Sequence, residues 1–152
     1  MLISEQESGR NLQIATFRVG PLMLGLPIGK VKEINRQLET ARVPLSPDYV
    51  YGITNLRGDV TTVIDLHVVL DIPAEDDRSF RYVIVNDDDQ QLALLVDEIA
   101  DILCISSSEI SLPPANVNGL DGRFFEGVYS GPDEIVVILN LEEIANPETL
   151  TA

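Results

Sequence analysis

The feature of this sequence that most constrains its fold is an internal repeat of apolar residues. Segments 24–34 and 92–102 carry apolar residues at matching positions when they are aligned at an offset of 68 in the numbering. The matched pairs are Leu24/Leu92, Leu26/Leu94, Ile28/Val96, Val31/Ile99 and Ile34/Ile102. The order of these positions, with glycine and proline roughly in step, favours duplication of a small unit over chance agreement in an aliphatic-rich chain.

The repeat continues further along the chain at a slightly larger offset. When the offset is 75, Gly52-Ile53 matches Gly127-Val128, and Val63-Ile64-Asp65-Leu66 matches Ile138-Leu139-Asn140-Leu141. An insertion after Pro113-Pro114 would account for the change of offset. Each half therefore has the order strand, strand, short turn, strand, strand and short helix.

Short strands separated by glycine and proline dominate the local patterns. Segments 15–19, 22–28, 60–66, 82–85, 91–96 and 135–139 are predicted strands, and only 29–35 and 141–146 have apolar residues at helical spacing. Aromatic residues make up 5% of the chain and Trp is absent, so Val, Ile and Leu must form the core. Five short strands in about 60–70 residues close most readily as a small barrel, because closure removes exposed edges.

These patterns predict one domain over residues 10–150. It would comprise two lobes, one of about 22–80 plus the terminal elements and one of about 81–140, which share a core that neither could complete alone. Segment 73–79 is the predicted link between them, and Asp87-Asp88-Asp89 is a predicted hairpin turn exposed to solvent.

The charge of the chain argues against nucleic acid or an anionic membrane surface as a partner. There are 25 acidic and 10 basic residues, a formal net charge of -15. Such a surface repels phosphate groups, so the charge serves solubility or steers the chain towards a basic partner. No signal peptide, membrane-spanning stretch or pair of cysteines is present in the sequence, and a cytoplasmic location is expected.

A search for catalytic chemistry finds few candidates. His67 is the single histidine, and a structural or surface role is expected for it. Cys104 lies in an apolar run and is predicted to be a buried, unreactive thiol. The chain has no phosphate-binding loop, zinc-protease motif, nucleophile elbow or C-x-x-C pair, so we predict no catalytic residue, metal or cofactor. A small metal-binding regulatory enzyme that uses acidic side chains is the alternative from another class.

Residues 52–66 form the most distinctive segment of the sequence. Asn55 and Gly58 bracket Leu56-Arg57, which predicts a tight reversal between two strands with Gly58 at positive φ. The reversal would direct Arg57 outwards, either as an interface anchor or as an ordinary solvated residue. Asp65 is predicted to cap the helical turn that follows.

This segment, G-I-T-N-L-R-G-D-V-T-T-V-I-D-L, resembles the signature of the CheW-like chemotaxis coupling proteins. The resemblance extends over most of the chain, including Lys30-Val31-Lys32-Glu33-Ile34 and Leu94-Leu95-Val96-Asp97. Thr62 and Ala93 depart from it, because the family usually has proline and glycine at these positions.

The resemblance implies a mainly β fold with two SH3-like five-stranded β-barrel lobes packed together and short helices, including one near the C-terminus. It implies a non-catalytic adaptor, without cofactor or metal, that couples the cytoplasmic tip of a methyl-accepting chemoreceptor to the regulatory domain of a CheA-type histidine kinase at inner-membrane receptor arrays. A coupling protein for pilus motility, development or second-messenger control is the alternative within the family. The receptor-binding residues it implies are Val31, Glu33, Asn55, Arg57 and Gly58, and Gly52 would lie near the kinase contact.

Overall fold

Fourteen short strands dominate the computed structural model, which describes residues 10–75, 79–113, 116–117 and 120–146. In chain order they are β1 (Asn11–Val19), β2 (Leu22–Pro27), β3 (Val31–Asn35), β4 (Thr40–Ala41), β5 (Val50–Leu56), β6 (Asp59–Asp65), β7 (Arg81–Asp87), β8 (Gln90–Val96), β9 (Glu98–Ser106), β10 (Ile110–Ser111), β11 (Asn116–Val117), β12 (Leu120–Asp121), β13 (Phe125–Ser130) and β14 (Ile135–Leu139). Helices α1 (Leu66–Val69) and α2 (Leu141–Ile144) follow β6 and β14. Single 3₁₀ turns cover Ile28–Lys30, Ser107–Glu109 and Gly122–Phe124.

The strands form two six-stranded sheets, and each sheet takes strands from both repeats. The first sheet has the order β10-β13-β14-β2-β1-β9, and the second has the order β3-β7-β8-β6-β5-β4. The opening hairpin of each repeat, β1–β2 or β7–β8, thus lies beside the later strands of the other repeat. Strands β11 and β12 form a separate two-stranded pair.

The registers of the two sheets agree with the internal repeat. Where the repeats meet, the strands run parallel: Val137 of β14 lies opposite Leu24 of β2, and Thr62 of β6 lies opposite Leu92 of β8. These two pairs are related by the same offsets, 75 and 68, that the sequence displays. The agreement means that positions in one sheet have identifiable counterparts in the other.

The mainly β, two-lobed fold is confirmed, but two details differ from the prediction. Among the described residues each sheet has six strands rather than five, because β4 and β10 add two-residue edge strands, and neither sheet closes into a barrel. The predicted boundary near residue 80 separates the two repeats in the sequence. It does not separate the two sheets, because each sheet contains the opening hairpin of one repeat and later strands of the other. Residues 76–78 of the predicted link, most of the predicted insertion after Pro113-Pro114 and residues 147–150 of the predicted domain lie outside the described residues.

A single aliphatic cluster joins the two sheets. It includes Phe17 and Leu24 from the first sheet and Ile64, Val83 and Leu92 from the second, all almost completely buried. Burial of each such side chain contributes about 1.5–3 kcal/mol relative to exposure. The core is therefore built mainly from Val, Ile and Leu, as the composition requires. Its largest cluster combines residues of both sheets, and two smaller buried clusters each consist of residues of one sheet.

Several local predictions can be compared with the structure directly. Asp65 is the N-cap of α1, and its side chain accepts a hydrogen bond from the backbone N–H of His67, as predicted. The helical prediction over 29–35 is wrong beyond a 3₁₀ turn that ends at Lys30: the rest is strand β3, because pairing with β7 satisfies its backbone groups. Cys104 lies on a strand, but the prediction of burial is wrong, since β9 is an edge strand and its Cys104 side chain is exposed.

The junction between the sheets contains a buried polar cluster centred on His67. Its Nε2 lies 2.8 Å and 2.9 Å from the two carboxylate oxygens of Asp97, and its Nδ1 lies 3.0 Å from the carbonyl oxygen of Ile72. Asp97 Oδ2 also accepts a 2.7 Å hydrogen bond from the backbone N–H of Gly20, in the turn between β1 and β2. His67 therefore has a structural role, as predicted: through Asp97 it links α1 to the turn between β1 and β2 in the first sheet.

Replacement of His67 by leucine should lower the free energy of unfolding by about 2–3 kcal/mol, since it removes the ring nitrogens that lie within hydrogen-bond distance of Asp97 and of the Ile72 carbonyl. Urea denaturation of the purified protein measures the change. The matched control is Val68→Ala on the same helix, because Val68 is 43% exposed. Equal losses for the two variants would contradict a role of His67 at the junction.

Candidate functional site

The turn between β5 and β6 has the geometry that its sequence predicts. The side-chain oxygen of Asn55 accepts a 2.9 Å hydrogen bond from the backbone N–H of Gly58. Arg57 has φ 53° and Gly58 has φ 89°, the left-handed pair that a two-residue hairpin of type I′ requires. Because a non-glycine residue at positive φ is strained, the turn holds Arg57 in a conformation that its neighbours must enforce.

An ion pair connects this turn to the edge of the second sheet. Arg57 Nη1 lies 2.6 Å from Glu33 Oε2 on β3, and Asn35 Nδ2 donates to Glu33 Oε1 at 2.9 Å. The Arg57 side chain is 72% exposed, whereas that of Glu33 is 18% exposed. Since β7 and β8 separate β3 from β6 in the sheet, the sheet must curl strongly for this contact to form.

The structure brings four of the five predicted receptor-binding residues together. Glu33, Asn55, Arg57 and Gly58 belong to the ion pair or to the turn that supports it. Val31 lies on the same strand as Glu33, but it is half-buried and packs against the main aliphatic cluster. The ion pair therefore defines an exposed platform, which we call the β3–turn platform, consisting of Glu33, Asn55, Arg57 and Gly58.

A shallow cavity of about 460 Å³ lies beside β3 and reaches the other sheet. It is lined by Ile34, Arg36, Arg81, Glu98 and Ile99. β3 and β9, the edge strands of the two sheets, each contribute residues to it. Two isoleucines on these strands, Ile34 and Ile102, are 45% and 55% exposed. Aliphatic side chains at the edges of two sheets can bind a partner that lies between the sheets.

Sequence reasoning missed this cavity, although one signal for it was present. Ile34 and Ile102 are a matched pair of the internal repeat, whose other apolar positions lie mainly in the core. The structure shows that the equivalent position on both sheets is apolar yet exposed. Periodicity alone does not distinguish such a surface position from a core position, because both carry the same residue type.

Gly52, the residue predicted near a second contact, is buried in β5 beneath β4. A Cβ atom at this position would lie 2.5 Å from the carbonyl oxygen of Ala41 and 2.5 Å from Thr40 Cγ2. Gly52 thus allows β4 to approach β5 closely. Beside it, a cavity of about 430 Å³ is lined by Thr40, Ala41, Ile53 and Val60, among other residues, and Val60 is 72% exposed.

The described part of the chain contains neither a cluster of metal-ligating side chains nor a helix long enough to span a membrane. Among these residues, no three His, Cys, Asp or Glu side chains lie close enough together to hold a metal ion. The two described α-helices have four residues each, far fewer than a bilayer crossing needs.

Comparison with known proteins gives one consistent family. Residues 13–148 match the family described as CheW-like domain. The chain is 31% identical to a chemotaxis protein CheW from Helicobacter pylori over 143 residues, which cover 93% of this chain and 86% of that protein. It is 27% identical to a chemotaxis protein CheW from Treponema pallidum over 143 residues, which cover 91% and 84% of the two chains.

A solved structure supports the same relationship. The crystal structure of the scaffolding protein TtCheW from Thermoanaerobacter tengcongensis superposes on this fold with a TM-score of 0.79. The two chains are 30% identical, and the match covers 85% of this chain and 88% of the other.

Replacement of Gly52 by alanine should destabilise the protein by about 1–3 kcal/mol, because the added methyl group would overlap the backbone of β4. Gly29→Ala is the control: a Cβ at Gly29 would meet no atom within 4 Å, and its φ is not positive. Thermal unfolding of the two variants measures the difference. Equal melting temperatures would show that β4 can move away from β5 without loss.

Proposed function

The chain belongs to the CheW-like family, and we propose that it is a chemotaxis coupling adaptor that joins chemoreceptors to a CheA-type histidine kinase. Proteins of this family couple receptors and kinase in general. The relatives reported above are named chemotaxis proteins, which favours chemotaxis over pilus motility, development or second-messenger control. Recruitment to receptor arrays at the inner membrane is part of the proposal.

The observation that carries the receptor-binding part of this proposal is the Arg57–Glu33 ion pair. It holds a strained turn against an edge strand, so that a guanidinium with 72% exposure is presented from a fixed position. Arg57 retains free N–H groups for a partner's carboxylate or carbonyl oxygens, because only Nη1 contacts Glu33. A receptor tip, as a helical hairpin, would bind along the β3–turn platform and the neighbouring cavity between β3 and β9.

The exposed Ile34 on β3 gives this surface an apolar component. Ile34 would cover the apolar side of a receptor helix, while Arg57, Arg36 and Arg81 would face its polar residues. Burial of an exposed aliphatic side chain provides affinity, and the arginines provide orientation. The two sheets would thus both contact one receptor hairpin.

For the kinase, we propose an adjoining surface formed by β4 and β5, which shares Asn55 with the β3–turn platform. Gly52 is buried and would act by positioning β4, whereas Ala41, Ile53 and Val60 line the adjoining cavity and would make the contact. The regulatory domain of the kinase would bind this surface. Two adjoining surfaces on one chain would allow the receptor state to influence the kinase through geometry and mass action.

Substitution of Arg57 by alanine should weaken binding of a receptor cytoplasmic fragment about tenfold, because an anchored arginine is a common hot spot. The melting temperature should change little, since an exposed ion pair contributes at most about 1 kcal/mol. Arg18→Ala is the matched control, because Arg18 forms an exposed ion pair with Glu134 at 3.4 Å beside the first sheet. Titration calorimetry with the same fragment measures both variants.

Reversal of the ion pair distinguishes contact from positioning. If Arg57 only holds the turn, the double variant Arg57→Glu with Glu33→Arg should restore binding; if Arg57 contacts the receptor, binding should remain weak. Native affinity of the Arg57→Ala variant would exclude this residue from the receptor surface and leave family membership unaffected.

The proposal also predicts that the purified chain does not catalyse phosphotransfer. Incubation with radiolabelled ATP should give neither a labelled protein nor released phosphate, and a CheA-type kinase serves as the positive control. A turnover that copurifies with the chain through two chromatographic steps would contradict the adaptor function and favour the regulatory-enzyme alternative.

A further inference from the structure

The loop between β4 and β5, residues 42–49, presents a leucine to solvent. Leu45 is 106% exposed, the highest value among the exposed large apolar side chains of the described residues. Its side chain therefore buries no surface against the rest of the described chain. A single exposed leucine is common on protein surfaces and indicates nothing by itself. What distinguishes Leu45 is the conformation of its backbone.

The backbone of Leu45 is in the left-handed region, with φ 62°. Pro44 and Leu45 are the central residues of a turn that is closed by a 3.3 Å hydrogen bond from the Ser46 N–H to the Val43 carbonyl oxygen. Proline at the first central position and positive φ at the second are features of a type II turn, whose second position favours glycine or asparagine. Leucine is strained there, because its Cβ lies close to the following carbonyl oxygen.

The other non-glycine residues with positive φ each have a feature that accommodates this conformation. Among the described residues they are Arg57, Asp71 and Asp88. Aspartate tolerates the left-handed region because its short polar side chain can form local hydrogen bonds. The ion pair with Glu33 holds Arg57 in place. Leu45 has neither a polar side chain nor a packing contact that would offset the strain, and strain of this kind is typical of functional positions.

Hydrogen bonds within the loop hold the turn in one conformation. Ser46 Oγ donates a 2.8 Å hydrogen bond to the Val43 carbonyl oxygen, and the Val50 N–H donates a 3.0 Å hydrogen bond to the Pro47 carbonyl oxygen. The two prolines of the loop restrict its backbone further. A side chain presented from a fixed loop loses little conformational freedom when it binds, so Leu45 is suited to act as an anchor.

The loop continues directly from the surface proposed for the kinase. Ala41, the last residue of β4, lines the cavity on this surface together with Ile53 and Val60. Leu45 follows Ala41 by four residues, which places the two within about 14 Å of each other. An interface of ordinary size covers about 800 Å² on each partner and is wider than this separation. A partner bound over the cavity would therefore also reach Leu45.

We propose that Leu45 is the anchor of the kinase surface and inserts into an apolar pocket of the kinase's regulatory domain. This role rests on the proposed coupling function and adds to it the residue that provides affinity. Burial of the leucine in the complex would offset the strain that the free chain retains. Leucine at this position thus lowers the stability of the free adaptor and raises its affinity for the kinase.

The Leu45→Asn variant tests both effects at once, since asparagine tolerates positive φ but does not fill an apolar pocket. Its melting temperature should rise by about 2–4 °C, because the strain is relieved. Its affinity for the purified regulatory domain of the CheA-type kinase from the same organism should fall about tenfold or more. Thermal unfolding and titration calorimetry of the full chain measure the two changes.

Two further variants serve as controls. Ile135→Asn makes a similar change at the start of β14 in the other sheet, where the side chain is 58% exposed and φ is not positive. It should leave the affinity unchanged and should not raise the melting temperature. Leu45→Met keeps an apolar side chain at the strained position, and it should retain the affinity within about threefold.

The possible failures of this role are distinguishable from those of the coupling function. Wild-type affinity of the Leu45→Asn variant would exclude Leu45 as an anchor and leave the coupling function intact. A melting temperature that does not rise would show that the leucine is not strained, which would also overturn this role. If the wild-type chain does not bind the regulatory domain, both proposals are wrong. Self-association of the wild-type chain that Leu45→Asn abolishes in sedimentation experiments would identify a second copy, in place of the kinase, as the partner of Leu45.

Discussion

The parallel pairing of β2 with β14 and of β6 with β8 is the constraint on which the rest of this structure depends. Each pair joins a hairpin of one repeat to the later strands of the other, so neither sheet can be completed by one repeat alone. The main hydrophobic cluster contains residues of all four of these strands. The contacts of His67 and Gly20 with Asp97 then link α1 to the turn between β1 and β2.

Strand exchange also determines where binding surfaces can form. Strands β3 and β9 are edge strands of different sheets, and residues of both line one cavity. The β5–β6 turn also lies close enough to β3 for Arg57 to contact Glu33. A chain that binds through two lobes needs the lobes to be rigid relative to each other, and the shared core provides that rigidity. The adaptor function thus depends on how the sheets are completed.

The repeats retain a common backbone but have diverged in their side chains. The second sheet fills one end with Tyr51, Phe80 and Tyr82, whereas the first sheet has Glu126, Leu12 and Ile14 at the equivalent positions and a groove above them. Conversely, Ile34 and Ile102 remain apolar and exposed in both. Comparison of the two sheets therefore separates positions required by the fold from positions that differ in what they can bind.

The sequence alone determined the strand content, the duplication, the Asn55–Gly58 turn and the Asp65 cap, because each depends on residues near one another in the chain or on a regular period. It could not determine that the hairpins exchange sheets, that Cys104 and Ile34 are exposed, or that Glu33 is the partner of Arg57. Those features depend on which strands become neighbours and which become edges. Pairing partners are selected by burial of the whole core, which no local pattern contains; only the tertiary structure decides them.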